Sequence, residues 1–195
     1  MRPPLWSGYR HDINPMKTAL LVIDVQVGII DHFPSYNKDQ VLANINDLLA
    51  KARAARVPVI YIRHDGGKGD PLEAHTEGWS IHPRIAPVDG EPIVDKRSCS
   101  SFYETPLQAM LDEAGVSHLI VTGCMTEYCI DTACRHATTL GYDVTLAGDA
   151  HTTIDNELFK AEQIIAHHNR ALNWFNSGKF TVAVKPASEI AFPML

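Results

Sequence analysis

The chain has few cysteines and few cations. Its four cysteines, Cys99, Cys124, Cys129 and Cys134, all fall in the second half, without CxxC or zinc-knuckle spacing. That pattern excludes the disulfide framework of a small secreted domain. Seventeen Lys and Arg stand against 23 Asp and Glu, a net charge of −6 with no basic cluster to offset it. A polyanionic partner, whether nucleic acid or an anionic membrane, is therefore not expected, and a small-molecule partner fits better. No apolar run approaches the roughly 18 residues of a membrane span, and Met1-Arg2-Pro3-Pro4-Leu5-Trp6-Ser7-Gly8 has no apolar core of the signal-peptide kind. A soluble, cytoplasmic chain is the expectation. Internal repeats and low-complexity tracts are also missing.

What is present is a globular composition, 45% apolar and 21% charged over 195 residues. The length is only slightly above that of one average domain, so residues 1–195 read as a single domain, able to bury roughly 70% of its unfolded surface without metal or disulfide staples. Residues 18–25 (TALLVIDV) form an apolar run too short for a helix, as buried parallel strands do. Residues 38–56 carry Val41, Ile45, Leu48, Leu49 and Ala52 at the helical period, and Pro58 then opens a second strand over 59–62. A long loop, 64–92, rich in Gly, Pro and His, leads to a short strand at 93–94. Helices are expected over 105–114, 127–140 and 157–175, and strands over 117–122, 143–147 and 180–184. This alternation predicts a three-layer α/β/α fold, Rossmann-like, around a mainly parallel six-stranded sheet. Ligands in such sheets bind beyond the carboxyl ends of the strands, where the strand order reverses. The places to look are just after Asp24, around Lys96, and at 123–129.

Three groups with complementary chemistry fall there. Cys129 sits just inside the expected helix 127–140, where the helix dipole and free backbone N–H groups favour thiolate and can hold an oxyanion. Asp24 ends a strand against Leu21, Val22 and Ile23, the apolar setting of a general base. Lys96, at the end of the short third strand, supplies an ammonium that stabilises both anions. Each has an ordinary alternative: a small core cysteine, a loop-anchoring Asp, a solvated Lys. Trp79, Phe102 and Tyr128 read either as pocket walls or as core aromatics. Other signals are weaker. Gly66-Gly67-Lys68-Gly69 lacks the GxxxxGK[ST] phosphate-loop pattern, and His167-His168 lies within a helix. A five-residue spacing sets Cys134 about 140° around the helix from Cys129, which makes a local disulfide strained.

The chain resembles the isochorismatase-like cysteine hydrolases, a family that includes nicotinamidases, N-carbamoylsarcosine amidase and streptothricin hydrolase. Three blocks carry the resemblance over nearly the whole chain: 19–26 (ALLVIDVQ), 96–105 (KRSCSSFYET) and 121–133 (VTGCMTEYCIDTA), the last running on to Gly141-Tyr142-Asp143-Val144. By matching position, the resemblance implies an Asp24, Lys96 and Cys129 triad. It also implies a cis peptide between Met125 and Thr126 beside the oxyanion site, and substrate contacts from Gln26, Trp79, Phe102 and Tyr128. The implied reaction is cofactor-free hydrolysis of a C–N bond in a small amide, ureide or lactam, by a homo-oligomer of two or more chains. Members that cleave a vinyl ether lack a cysteine at the nucleophile position, so vinyl-ether hydrolysis is disfavoured. A redox-sensing or non-catalytic role is the other alternative, and the presence of Asp24 and Lys96 argues against it. Nicotinamidases carry a metal beside the pocket, held by an Asp-x-His pair after the second strand and another His. Arg63-His64-Asp65-Gly66-Gly67 does not supply that pair; His64, His75 and His82 are the only nearby substitutes, so no metal is expected.

Overall fold

The computed structural model describes residues 17–192, and the N-terminal 1–8 segment considered above lies outside the described residues. Every residue of β1 (Thr18–Ile23) is buried. Because side chains alternate across a strand, Leu20 and Val22 join the apolar layer under α2 (Lys38–Ala54), while Ala19, Leu21 and Ile23 join the opposite layer. A strand covered on both faces reads as a continuous apolar run rather than an alternating one, which is why TALLVI carries no period. The helix α2 buries Val41, Leu42, Ile45, Leu48, Leu49 and Ala52, the stripe that the sequence period predicts with Leu42 added.

The remaining strands are β2 (Val59–His64), β3 (Ile93–Lys96), β4 (His118–Cys124), β5 (Asp143–Thr152), β6 (Asn176–Ser177) and β7 (Phe180–Lys185). They lie in the order β3-β2-β1-β4-β5-β7-β6, parallel throughout except for the β6–β7 hairpin. The sheet therefore has seven strands where six are expected. The seventh, β6, is two residues long and turns through Gly178 at φ 63°, too short to show any pattern of its own. From β1 the chain builds outward through β2 and β3 on one side, then returns to β4 and builds outward on the other. The crevice between the carboxyl ends of β1 and β4 is the reversal point.

The helices covering the sheet are α3 (Leu107–Glu113), α4 (Asp131–Thr139) and α5 (Ala161–Leu172), with a four-residue α1 (Val27–Ile30) directly after β1. The start of α5 falls four residues later than the period predicts. The Asn156 carboxamide accepts from the Leu158 and Phe159 N–H groups, holding the chain in an Asx turn until Gln163 Oε1, accepting from the Lys160 N–H, marks the start of the helix. The expected helix 127–140 is two elements, a π-type turn over Thr126–Ile130 that runs into α4.

Gly123 sets how closely β4 approaches β1. Its φ is +123°, and a Cβ there would run into the carbonyl oxygen of Ile23. A Gly123→Ala substitution must therefore both strain the backbone and push two central strands apart, at a cost of about 3 kcal/mol or more. The thermal midpoint of the variant is expected to fall by about 6–12 °C, as read from a melting curve. A midpoint within 2 °C of wild type would show that the β1–β4 contact yields easily.

Candidate active site

Three strand ends deliver the charged cluster. Directly after β1 the chain turns at Asp24, whose φ of 53° lies in the left-handed region that Asp tolerates better than most residues. The turn is held because Asp24 N–H donates to Ile62 O and Gln26 N–H donates to Asp24 O, each at 2.9 Å. Lys96 closes β3, two strands away, and its long side chain crosses the end of β2. Cys129 is the fourth residue of the π-type turn that follows β4. Such turns recur at functional sites, because the extra residue re-aims side chains out of the helical pattern.

Lys96 Nζ is the hub. It lies 2.7 Å from Asp24 Oδ2, 3.2 Å from Cys129 Sγ and 3.0 Å from the Ser98 carbonyl oxygen, with His64 Nδ1 at 3.4 Å. Asp24 and Lys96 are 1% and 3% exposed, so their attraction acts in a poorly screened environment. Burial works against the ammonium, but the adjoining Asp24 carboxylate and the contact with Cys129 Sγ together outweigh it and raise the Lys96 pKa above the usual lysine value. For Cys129 the balance goes the other way. Burial and then the Asp24 carboxylate push its thiol up, and Lys96 offsets only part of this. This corrects the expectation of a resting thiolate. Cys129 lies in the fourth position of a short turn, where burial and an adjacent carboxylate both oppose the thiolate. Beside the cluster, burial and then the Lys96 charge push the His64 pKa down.

Asp24 and Cys129 open into a cavity of about 270 Å³ walled by Ile29, Phe33, Pro71, Leu72, Met125 and Tyr128, with Asp70, Cys99 and His64 among the polar groups. Tyr128 thus stands where the sequence reading puts it. The other three expected substrate contacts do not reach this cavity. Both ends of the Gln26 carboxamide are taken by backbone, its Nε2 donating to His64 O and Trp79 O and its Oε1 accepting from His64 N–H. It clamps β1, β2 and the 64–92 loop together. Phe102 is buried in the core, stacked on Tyr142 and edge-on to His136. Trp79 borders a second cavity of about 400 Å³, which Lys96 also lines, with Asp65, His75, Arg97, Tyr103 and Glu104, and the Arg63 guanidinium lies 3.3 Å over its ring. The cis peptide is Cys124–Met125, one residue before the expected position, at the last residue of β4. Strand β4 runs two residues further than its apolar pattern suggests, which moves the junction. Thr126 is fully buried, with its hydroxyl turned inward against His151.

The sequence reading missed Ile29 and Phe33. Their signal is present, an apolar cluster in Val27-Gly28-Ile29-Ile30 immediately after Asp24, but four residues are too few to show a helical period. It weighed His64 only as a metal ligand. The three histidines in fact have separate partners: His64 at Lys96, His75 edge-on to Trp79, and His82 between Asp31 and the Arg84 N–H. Among the described residues no group of three or more His, Cys, Asp or Glu is placed to hold a metal ion. The donor set of the described residues therefore does not fit the nicotinamidase metal.

Fold and site together define a doubly wound α/β protein with an Asp–Lys–Cys cluster at the sheet's reversal point. A profile of the isochorismatase domain matches residues 18–171, and the chain belongs to the isochorismatase family. It is 38% identical over 144 residues to a streptothricin hydrolase of Streptomyces noursei, covering 73% of this chain and 57% of that protein. It is also 35% identical over 166 residues to nicotinamidase 3 of Arabidopsis thaliana, covering 78% and 81%. The chain thus spans little more than half the length of the streptothricin hydrolase. Among solved structures, a cysteine hydrolase from Pseudomonas syringae pv. phaseolicola 1448A superposes with a TM-score of 0.79 at 27% identity, covering 97% and 96% of the two chains. An isochorismatase from Pseudomonas putida KT2440 gives 0.81 at 29%, covering 89% and 90%.

Proposed function

We propose that this chain is a cysteine hydrolase that cleaves the C–N bond of a small amide, ureide or lactam through a thioester on Cys129. The observation that carries the reading is Lys96 Nζ lying within 2.7 Å of Asp24 and 3.2 Å of Cys129, beside a mainly apolar cavity that holds only a small molecule. The thiol proton passes to Asp24 as sulfur attacks the carbonyl carbon. The developing oxyanion meets backbone N–H groups at the start of the π-type turn. Asp24 returns the proton to the nitrogen as the C–N bond breaks, and the amine leaves. Asp24 then takes a proton from water, whose oxygen attacks the thioester and frees the acid and the thiol. Lys96 neutralises whichever of Asp24 and Cys129 carries the charge at each stage. The names of the streptothricin hydrolase and nicotinamidase relatives support C–N hydrolysis, and the reading carries with it a homo-oligomer of two or more chains in a cytoplasmic setting.

No helix of the described residues is long and apolar enough to cross a membrane. The test is a panel of small amides, ureides, lactams and vinyl ethers, assayed for ammonia, amine or enol release. Hydrolysis of a C–N substrate, unchanged after dialysis against a strong chelator, is the expected outcome. Turnover of vinyl ethers alone would overturn the C–N reading. Activity lost with about one bound zinc or iron per chain would overturn the metal-free mechanism and return His64, His75 and His82 to the site.

A further inference from the structure

Behind the nucleophile turn lies a buried polar chain that the proposed mechanism does not use. β4 and β5 pair in register up to Val121 and Leu146, then break, and pairing resumes with Gly123 opposite His151. The extra residues in β5 carry His151 to a position directly under the Cys129 turn. There His151 is 1% exposed and Thr126, the first residue of the turn, is fully buried. His151 Nδ1 lies 2.8 Å from Thr126 Oγ1, and its Nε2 lies 2.9 Å from Asn169 Oδ1 on α5. Asn169 Nδ2 donates to Gly148 O at 2.8 Å.

This arrangement allows one direction of hydrogen bonding. With the Asn169 amide nitrogen committed to a carbonyl, its oxygen faces His151, so Nε2 carries the ring proton and donates. Nδ1 is then an acceptor, and the Thr126 hydroxyl donates to it. We propose that His151, set in this tautomer by Asn169, is a positioning residue that holds the Cys129 turn in register with Lys96 by accepting the Thr126 hydroxyl hydrogen bond. Burial pushes the His151 pKa down to about 4, so the ring is neutral at ordinary pH and keeps this pattern. An apolar pair would fill the same space without desolvation, so what the polar chain adds is a single allowed geometry. That geometry matters because Sγ, three residues beyond Thr126, must sit within reach of both Lys96 and Asp24.

The proposal rests on the hydrolase reading for its kinetic readout and on Cys129 chemistry alone for the second. His151→Leu removes the acceptor, Thr126→Val removes the donor, and His151→Asn keeps an acceptor at the position of Nδ1. On a hydrolysed substrate, His151→Leu and Thr126→Val are each expected to lower kcat by about 10- to 100-fold, the scale of a displacement near 1 Å, with KM within about threefold. The double variant is expected to be no worse than either single, because both break one contact. His151→Asn is expected to recover most of the lost kcat. Independently of any substrate, the pH midpoint of iodoacetamide labelling at Cys129 is expected to shift from the wild-type value in His151→Leu and Thr126→Val as Sγ moves relative to both Lys96 and Asp24, and to return toward wild type in His151→Asn. A folded His151→Leu protein that labels with the wild-type midpoint, or losses that multiply in the double variant, would overturn the proposal. A wild-type protein with no turnover on any substrate would count against the hydrolase reading and leave the labelling comparison to decide this one.

Discussion

Cys129→Ala is expected to lower turnover by at least about 10³-fold on any substrate that the wild type hydrolyses, with the fold intact. Removing a covalent nucleophile leaves only substrate positioning and oxyanion contacts, and these sustain a small residual rate. Cys129→Ser is expected to be nearly as inactive, since a hydroxyl in this buried, carboxylate-facing position is much harder to deprotonate than a thiol. Cys134→Ala is the control, because Cys134 is fully buried in the α4 layer away from the cavity. It should keep most activity while losing a little stability through the small void it leaves. The measurement is kcat for each variant beside a thermal midpoint. A Cys129→Ala protein with more than a tenth of wild-type kcat would remove the thioester from the mechanism.

The second large effect separates the two charges around the thiol, because they act on it with opposite sign. Asp24 raises the Cys129 pKa and Lys96 lowers it. Lys96→Met removes the stabilising cation, so iodoacetamide labelling of Cys129 should move to higher pH by about one unit or more. kcat/KM should fall by at least about 100-fold. Asp24→Asn removes the opposing anion, so labelling should move to lower pH even though turnover is lost. The thiol would ionise more readily, yet neither the departing nitrogen nor the attacking water would find its proton partner. Shifts in opposite directions with activity lost in both variants are the signature of one cooperating unit. If Lys96→Met labels and turns over like wild type, Lys96 is a bystander. If Asp24→Asn moves labelling upward, the carboxylate is not the group that holds the thiol protonated.

Much of the site was legible before any coordinates, because each of its three members ends or follows a strand. TALLVI is apolar throughout and stops at Asp24, and strand-end carboxylates in parallel sheets point to the ligand side. The order of Asp24, Lys96 and Cys129 and the blocks around them carried the family resemblance. The protonation of Cys129 was not legible. Reading a helix N-terminus predicts thiolate, but the balance depends on how deeply the thiol is buried and on a carboxylate 105 positions away in sequence. Which side chains line the cavity beside Cys129 was not legible for a related reason. Gln26, Trp79 and Phe102 flank the catalytic blocks in sequence, yet the clamp on the His64 backbone, the Arg63 stack and the Tyr142 stack turn them to other work.

The sequence by itself therefore determined the α/β alternation, the buried strands, the helical stripe of α2 and the placing of Asp24, Lys96 and Cys129 at or just after strand ends. These follow from local periodicity and from residue types whose chemistry is the same in any fold. Only the tertiary structure decided that Lys96, two strands away from β1, reaches both Asp24 and Cys129, and that Ile29, Phe33 and Leu72 wall the cavity. It alone brought His151 under the nucleophile turn. Those outcomes depend on strand order and on the register break between β4 and β5, and such long-range pairings leave no period in the chain that forms them.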